Sequence, residues 1–256
     1  MAVTLTRRDE FAVVTLDRSE ALNALNFAVL EELGDVLTRA ERTDARALLI
    51  TGAGARAFCA GADIKELRGR SLVAQRRGAE VGQALFRRLD RSPLASVAVI
   101  DGYAFGGGLE LALACTFRLA TRRAKLGQPE IKLGLIPGYG GTQRLPRLIG
   151  EARALDLVMT GRTVNADEAL AIGLVHRLLG DGDVLEQATA FARQFAQFSL
   201  PVLAFARDAV QRALTTTLDE GLRIEADLST LAFQTRDAEE GMGAFVEKRR
   251  ARFEDR

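Results

Sequence analysis

The sequence predicts an α/β fold, and three observations carry that prediction. Short β-rich runs at residues 11–16 (Phe-Ala-Val-Val-Thr-Leu) and 46–51 (Arg-Ala-Leu-Leu-Ile-Thr) flank a segment, 27–42, whose apolar residues recur at helical spacing. The alternation then repeats, with a helical stretch from near Ser71 to before Pro93 leading to a buried strand at 94–100 closed by Asp101-Gly102. Beyond about residue 198 the composition turns almost wholly helical.

Each element has a local reason. Asn26 is placed to cap the helix that starts at Phe27, because its side chain can accept a free first-turn amide. After the strand at 94–100 come three glycines, Gly106, Gly107 and Gly108, a helix-like run from Leu109 to Cys115 and a strand over 117–120. The stretch from there to Gly141 reads as loop, since Pro129, Pro137 and several glycines forbid long regular elements. Loops of that length inside a compact domain are usually functional. Asn165, with Glu168 three residues on, resembles the start of a capping box for a short helix ending at Gly173, and Gly180-Asp181-Gly182 marks the next turn. Residues 1–198 are therefore read as the core and 199–256 as a C-terminal helical region. That region carries more apolar side chains than fifty-odd residues bury alone, so its helices pack on the core or on another subunit, and the residues leave both open. No fixed-period sequence repeat and no low-complexity segment is visible.

Composition excludes several classes. The 35 basic and 34 acidic side chains nearly cancel, leaving no overall field that would favour nucleic acid, a membrane surface or a strongly charged partner. Cys59 and Cys115 sit among apolar or small residues without the paired spacing of a zinc or redox motif, and read as reduced packing residues. His176 is the only histidine, too few for a multi-histidine metal site, and its setting in Gly173-Leu174-Val175-His176 reads as a structural strand edge. Met1 to Arg8 lacks the apolar core of a secretion leader, and nowhere do about 18 apolar residues run together, so a cytosolic protein is expected.

Three segments can carry chemistry. Phe58-Cys59-Ala60-Gly61-Ala62-Asp63-Ile64-Lys65 follows a strand, and its small side chains leave main-chain amides open to a ligand; Asp63 alone would serve as an ordinary cap. Asp101-Gly102-Tyr103-Ala104-Phe105-Gly106-Gly107-Gly108-Leu109-Glu110 places a glycine turn between strand and helix, where N–H groups can face a developing oxyanion, with Glu110 in the helix's first turn. Gly127-Gln128-Pro129-Glu130, followed by Gly134-Leu135-Ile136-Pro137-Gly138-Tyr139-Gly140-Gly141-Thr142-Gln143-Arg144, strands Glu130 in a proline-stiffened loop beside apolar residues. Desolvation there raises a carboxyl's pKa toward the range useful for proton transfer. The competing Gly52-Ala53-Gly54 turn looks like a dinucleotide fingerprint, but position 57 is alanine, no long helix follows and no acid ends a strand about 20 residues on.

In combination these segments resemble the enoyl-CoA hydratase/isomerase (crotonase) family, from Leu16-Asp17-Arg18 and Ala21-Leu22-Asn23-Ala24-Leu25-Asn26 through to Phe245-Val246-Glu247-Lys248-Arg249. The resemblance implies a spiral of repeated ββα units with a C-terminal helical trimerisation region, assembled as a homotrimer or as a homohexamer of paired trimers. It implies an oxyanion hole from the backbone N–H groups of Ala62 and Gly107. It also implies an acid/base pair, Glu110 and Glu130, and coenzyme A contacts at Ala24, Ala60, Gly61, Ala62, Asp63 and Ile64, with Lys248 of a neighbouring subunit facing the phosphates. The expected reaction is hydration of a 2-enoyl-CoA thioester, with no metal and no separate cofactor. Family isomerases keep only the second carboxylate, so Glu110 favours hydration; the alternatives are an isomerase of the same fold or an idle acyl-CoA-binding protein.

Overall fold

The computed structural model describes residues 1–256. The chain opens with an antiparallel pair, β1 (Val3–Arg8) and β2 (Phe11–Leu16), then crosses through α1 (Phe27–Glu41) to β3 (Ala47–Gly52), parallel to β2. Helix α1 starts behind Asn26, whose side-chain oxygen accepts the Val29 amide at 2.9 Å. From β3 onward one unit recurs: a strand in a large sheet, a short strand in a second sheet, then helix. β3, β4 (Ala57–Cys59), α2 (Ile64–Leu67) and α3 (Leu72–Asp90) make the first. β5 (Ser96–Ile100), β6 (Tyr103–Phe105) and α4 (Gly107–Ala114) make the second. β7 (Phe117–Thr121), β8 (Lys125–Gly127), α5 (Gly141–Ile149) and α6 (Glu151–Thr160) make the third. β9 (Thr163–Asn165), α7 (Ala166–Ala171), β10 (Arg177–Leu179) and α8 (Val184–Ala196) follow, and α9 (Leu200–Arg212), α10 (Leu218–Phe233) and α11 (Arg236–Val246) form the tail.

The large sheet runs β1-β2-β3-β5-β7-β10 and the small one β4-β6-β8-β9. β3 and β5 are apolar along nearly their whole length because both faces are covered, as in parallel sheets generally. Alternation sorts their side chains. Leu48, Ile50, Ala98 and Ile100 join the main core, whereas Leu49, Val97 and Val99 meet Ala188, Ala192 and Ala196, spaced four apart along α8 so that the helix lies close to the sheet. The small-sheet strands β4, β6 and β8 run parallel side by side, and each of the three chemistry-bearing segments continues from the C-terminal end of one of them.

Several expectations need correction. Glu130 is not in an irregular loop but in a 3₁₀ helix, Pro129–Leu133, entered through Pro129 at its first position. The stretch read as loop also contains β8, and β4 and β6 were likewise unforeseen; each is three residues long, too short to display a period of two. The Asn165 box is only half formed: Asn165 accepts the Glu168 amide at 2.9 Å, but the Glu168 carboxylate turns to Arg162 at 2.7 Å. His176 lies just before β10, and its Nδ1 accepts the Arg118 amide at 3.1 Å. Burial, helped by the Arg118 charge, pushes its pKa down to about 4, so it is a neutral structural acceptor. Cys59 and Cys115 are free and buried, with burial pushing both thiols up to about 12.

The tail contrasts with the core. No residue of α9 or α10 is fully buried, and Leu218, Phe233, Phe245 and Val246 are largely exposed. No helix is long and apolar enough to cross a membrane.

Candidate active site

Residues 60–63 leave β4 and run beside Leu25. The Leu25 amide donates to the Gly61 carbonyl and the Asp63 amide to the Leu25 carbonyl, both at 2.8 Å, so Leu25 and Ala62 form a parallel bridge. In such a bridge the Ala62 N–H points away from its partner strand, and no protein acceptor meets it. Gly107 is the first residue of α4, where an N–H has no intrahelical partner. The two amides converge: a Cβ on Gly107 would lie 3.4 Å from the Ala62 nitrogen, and one on Gly61 would lie 3.5 Å from the Gly107 nitrogen.

The neighbouring glycines are required by contact. A Cβ at Gly108 would overlap the Cys59 carbonyl, so only glycine lets α4 seat against the end of β4. Gly106 has φ +50°, and a Cβ there would stand 2.7 Å from Glu130 Oε1. The Glu130 carboxylate therefore lies directly against the turn that presents the Gly107 amide.

Glu110, one turn into α4, is buried. Its Oε1 accepts the amides of Tyr139 and Gly141, each at 2.7 Å, which leaves Oε2 free of protein partners. Burial raises its pKa, while those amides and the Arg144 charge oppose the rise. For Glu130, burial pushes the pKa up to about 7, with the negative charge of Glu110 adding to the rise. A carboxyl poised there exchanges a proton readily at neutral pH, the property a general acid/base needs. The fully buried Gln128 side chain, with its amide nitrogen turned to the carboxylate, sits 3.1 and 3.2 Å from Glu130 Oε1 and Oε2.

The structure thus gathers Ala62, Gly107, Glu110 and Glu130 around one spot. Ala60, Gly61, Asp63 and Ile64 lie on the same stretch of chain. Asp63 caps α2, with Oδ1 accepting the Lys65 amide at 3.1 Å, and its Oδ2 meets Arg18 at 3.2 Å. Arg18 also donates to the Ala24 carbonyl at 2.8 Å, which brings Ala24 beside Asp63. Lys248 stands apart, exposed just beyond α11 at φ 55°, with no hydrogen bond or ion pair to these segments within the chain. Sequence reasoning missed Gln128, Arg18 and the Glu110-binding amides; Gln128 stood inside a motif whose apparent role lay two residues on. The Gly52-Ala53-Gly54 turn leads into β4 instead of a helix, so it offers no helix N-terminus to a pyrophosphate. No group of three or more His, Cys, Asp or Glu side chains is placed to hold a metal ion.

Comparison with known proteins agrees with this geometry. The family model described as enoyl-CoA hydratase/isomerase matches residues 6–256. The chain belongs to the enoyl-CoA hydratase/isomerase family. A probable enoyl-CoA hydratase of Rhizobium meliloti is 44% identical over 244 residues, covering 95% of this chain and 94% of that protein. The crotonyl-CoA hydratase of Syntrophomonas wolfei is 39% identical over 98% of this chain and 97% of its own. Among solved structures, the enoyl-CoA hydratase of Bacillus anthracis superposes with a TM-score of 0.95 at 36% identity, covering 100% of both chains. Within the enoyl-CoA hydratase/isomerase family, then, this chain matches hydratases along nearly its full length.

Proposed function

We propose that the protein is an enoyl-CoA hydratase, adding water reversibly across the 2,3 double bond of a 2-enoyl-CoA to give the 3-hydroxyacyl-CoA. The observation that carries this reading is the presence of two carboxyl groups, Glu110 and Glu130, beside two unpaired backbone amides. The thioester oxygen takes the N–H groups of Ala62 and Gly107, which draw electron density from the β-carbon. Water is held by the free Oε2 of Glu110 and by Glu130, and its oxygen attacks that carbon as its O–H bond breaks and the proton passes to the Glu110 carboxylate. Glu130 delivers a proton to the α-carbon, a role suited to a carboxyl with pKa about 7. The charge that gathers on the thioester oxygen in the transition state is what the amides stabilise, worth roughly 100- to 1000-fold in rate per donor. Because each carboxylate lies in the other's field, a pH profile reports the pair.

The polarisation and both proton transfers come from the protein, so the reaction calls for no metal and no separate cofactor. Coenzyme A is then held along Ala24 and residues 60–64. The exposed apolar residues of α9–α11 support a C-terminal region, 199–256, that docks onto other copies in a trimer or a pair of trimers, with Lys248 reaching a neighbour's site. The test is the loss of conjugated-thioester absorbance on mixing with crotonyl-CoA. The wild type is expected to consume it, and Glu110→Gln and Glu130→Gln each to lower kcat by at least about 100-fold, the lower end of a general acid/base contribution. Full activity of Glu130→Gln would overturn the assignment.

A further inference from the structure

Five non-glycine residues have positive φ, and only Leu22 and Asn23 are adjacent, at 53° and 57°. Asparagine tolerates the left-handed region, but for leucine it is a genuine outlier. Such a conformation persists only where its surroundings over-determine it. Here they do. Asn23 is 1% exposed and its side chain is fully used: Oδ1 accepts the Arg18 amide at 2.9 Å, and Nδ2 donates to the carbonyls of Ala53 at 3.0 Å and Ala57 at 2.8 Å. Its own N–H donates to the Arg18 carbonyl at 2.9 Å. A Cβ on Gly52 would overlap the Phe58 and Ala57 carbonyls and stand 2.6 Å from Nδ2, so the end of β3 is left bare to admit both β4 and this amide.

The segment held this way is the one that faces the oxyanion loop. The Ala60 amide donates to the Leu22 carbonyl at 3.0 Å, and the Leu25 bridge supplies the bonds on either side of Ala62. Arg18 closes the arrangement from outside, joining the Ala24 carbonyl to Asp63 Oδ2. Ala57, whose carbonyl Asn23 holds, opens the strand that runs into residues 60–62. Residues 22–25 are thus a template lying along 60–63, and the side of the bridge they occupy dictates that the Ala62 N–H faces Gly107.

We infer that Asn23, assisted by Arg18, is a positioning residue that aims the Ala62 amide at the thioester oxygen, the strained turn at Leu22–Asn23 being the means by which Leu25 is held in register. This rests on the oxyanion-hole reading above. Neither side chain touches substrate on this account. Loosening the template lets one donor drift, and a drift of about 1 Å in a catalytic group can cost about 100-fold. The loss falls mainly on kcat, because the oxygen carries more charge in the transition state than in the bound thioester.

The experiment uses the full chain and butyryl-CoA labelled with carbon-13 at its thioester carbonyl, a saturated analogue that cannot be hydrated. Isotope-edited infrared spectroscopy reads the fall in carbonyl stretching frequency on binding, and crotonyl-CoA turnover is measured alongside. Asn23→Gly keeps the left-handed turn without strain and removes only the side-chain bonds. It is expected to lose half or more of the frequency shift and roughly 10- to 100-fold in kcat at a KM changed less than threefold. Leu22→Gly, which relieves strain and leaves every Asn23 bond in place, is expected to keep more of the shift and of kcat than Asn23→Gly. Arg18→Met supplies the same readout if Asn23→Gly does not fold, and is expected to lose part of the shift. A folded Asn23→Gly, or failing that Arg18→Met, with the full shift and kcat within twofold of wild type overturns the inference. Absence of any shift in wild type would instead overturn the oxyanion-hole reading itself.

Discussion

At the scale of single residues, the property that suits Glu130 to proton transfer also costs stability. Its folded pKa, about 7, lies above the ordinary 4.5, and burial is the main cause. A carboxyl raised in the folded state favours folding fully below its unfolded pKa, and that contribution is lost as pH rises through 7. A rise from 4.5 to about 7 couples about 3 kcal/mol of ionisation free energy to folding, reduced to about 2 kcal/mol where water reaches a half-buried group. Glu130→Gln, neutral at every pH, is therefore expected to be more stable than wild type by about 2 kcal/mol at pH 8 and equal to it at pH 4. Calorimetric melting at the two pH values checks this; a difference unchanged between them would show that Glu130 ionises as easily folded as unfolded. The sequence showed that Glu130 stood beside a proline and apolar neighbours, which sufficed to expect the upward shift. It did not show the two amides on Glu110, because those contacts join segments 29 and 31 residues apart and depend on the helices being docked, nor Gln128, two residues before Glu130, because turning its amide back on the carboxylate depends on the 3₁₀ turn entered at Pro129.

At the scale of elements, legibility tracked length and end signals. The Asn26 cap, the helix start near Ser71 and the long apolar runs of β3 and β5 stood out, whereas the small-sheet strands, three residues each, did not. Yet the small sheet is what brings the site together, since β4 and β6 deliver the Ala62 and Gly107 turns side by side. Their approach has no spare room at Gly108, where an added methyl meets the rigid Cys59 carbonyl and not the end of a flexible side chain. Gly108→Ala is accordingly expected to push α4 off β4 and to lower stability by about 2–3 kcal/mol, the upper range for overpacking. For a chain of this size that is a fall in melting temperature of roughly 6–10 °C. The variant should also lose most crotonyl-CoA turnover, since the Gly107 amide rides on the same helix; unchanged melting would mean that α4 docks less tightly than these contacts require.

For the whole molecule, the question is what the tail is for. The core buries its apolar residues in two continuous clusters flanking the large sheet, but α10 and α11 leave Leu218, Phe233, Phe245 and Val246 in water, and each would gain roughly 1.5–3 kcal/mol on burial. A second copy of the chain could cover them, and closed symmetry would then place each tail beside a neighbour's core. Lys248 follows α11 directly and contacts nothing in its own site, so on this reading it serves the site next door. Lys248→Ala should raise KM for crotonyl-CoA several-fold with little change in kcat, since losing a phosphate contact weakens ground state and transition state alike. Co-refolding equal amounts of Lys248→Ala and Glu110→Gln chains separates the two arrangements. If Lys248 crosses between subunits, about a quarter of the sites combine an intact Glu110 with a neighbour's intact Lys248, and turnover below KM rises above the mean of the parents. If Lys248 works within its own chain, every Glu110-bearing site lacks it, and the mixture stays at that mean.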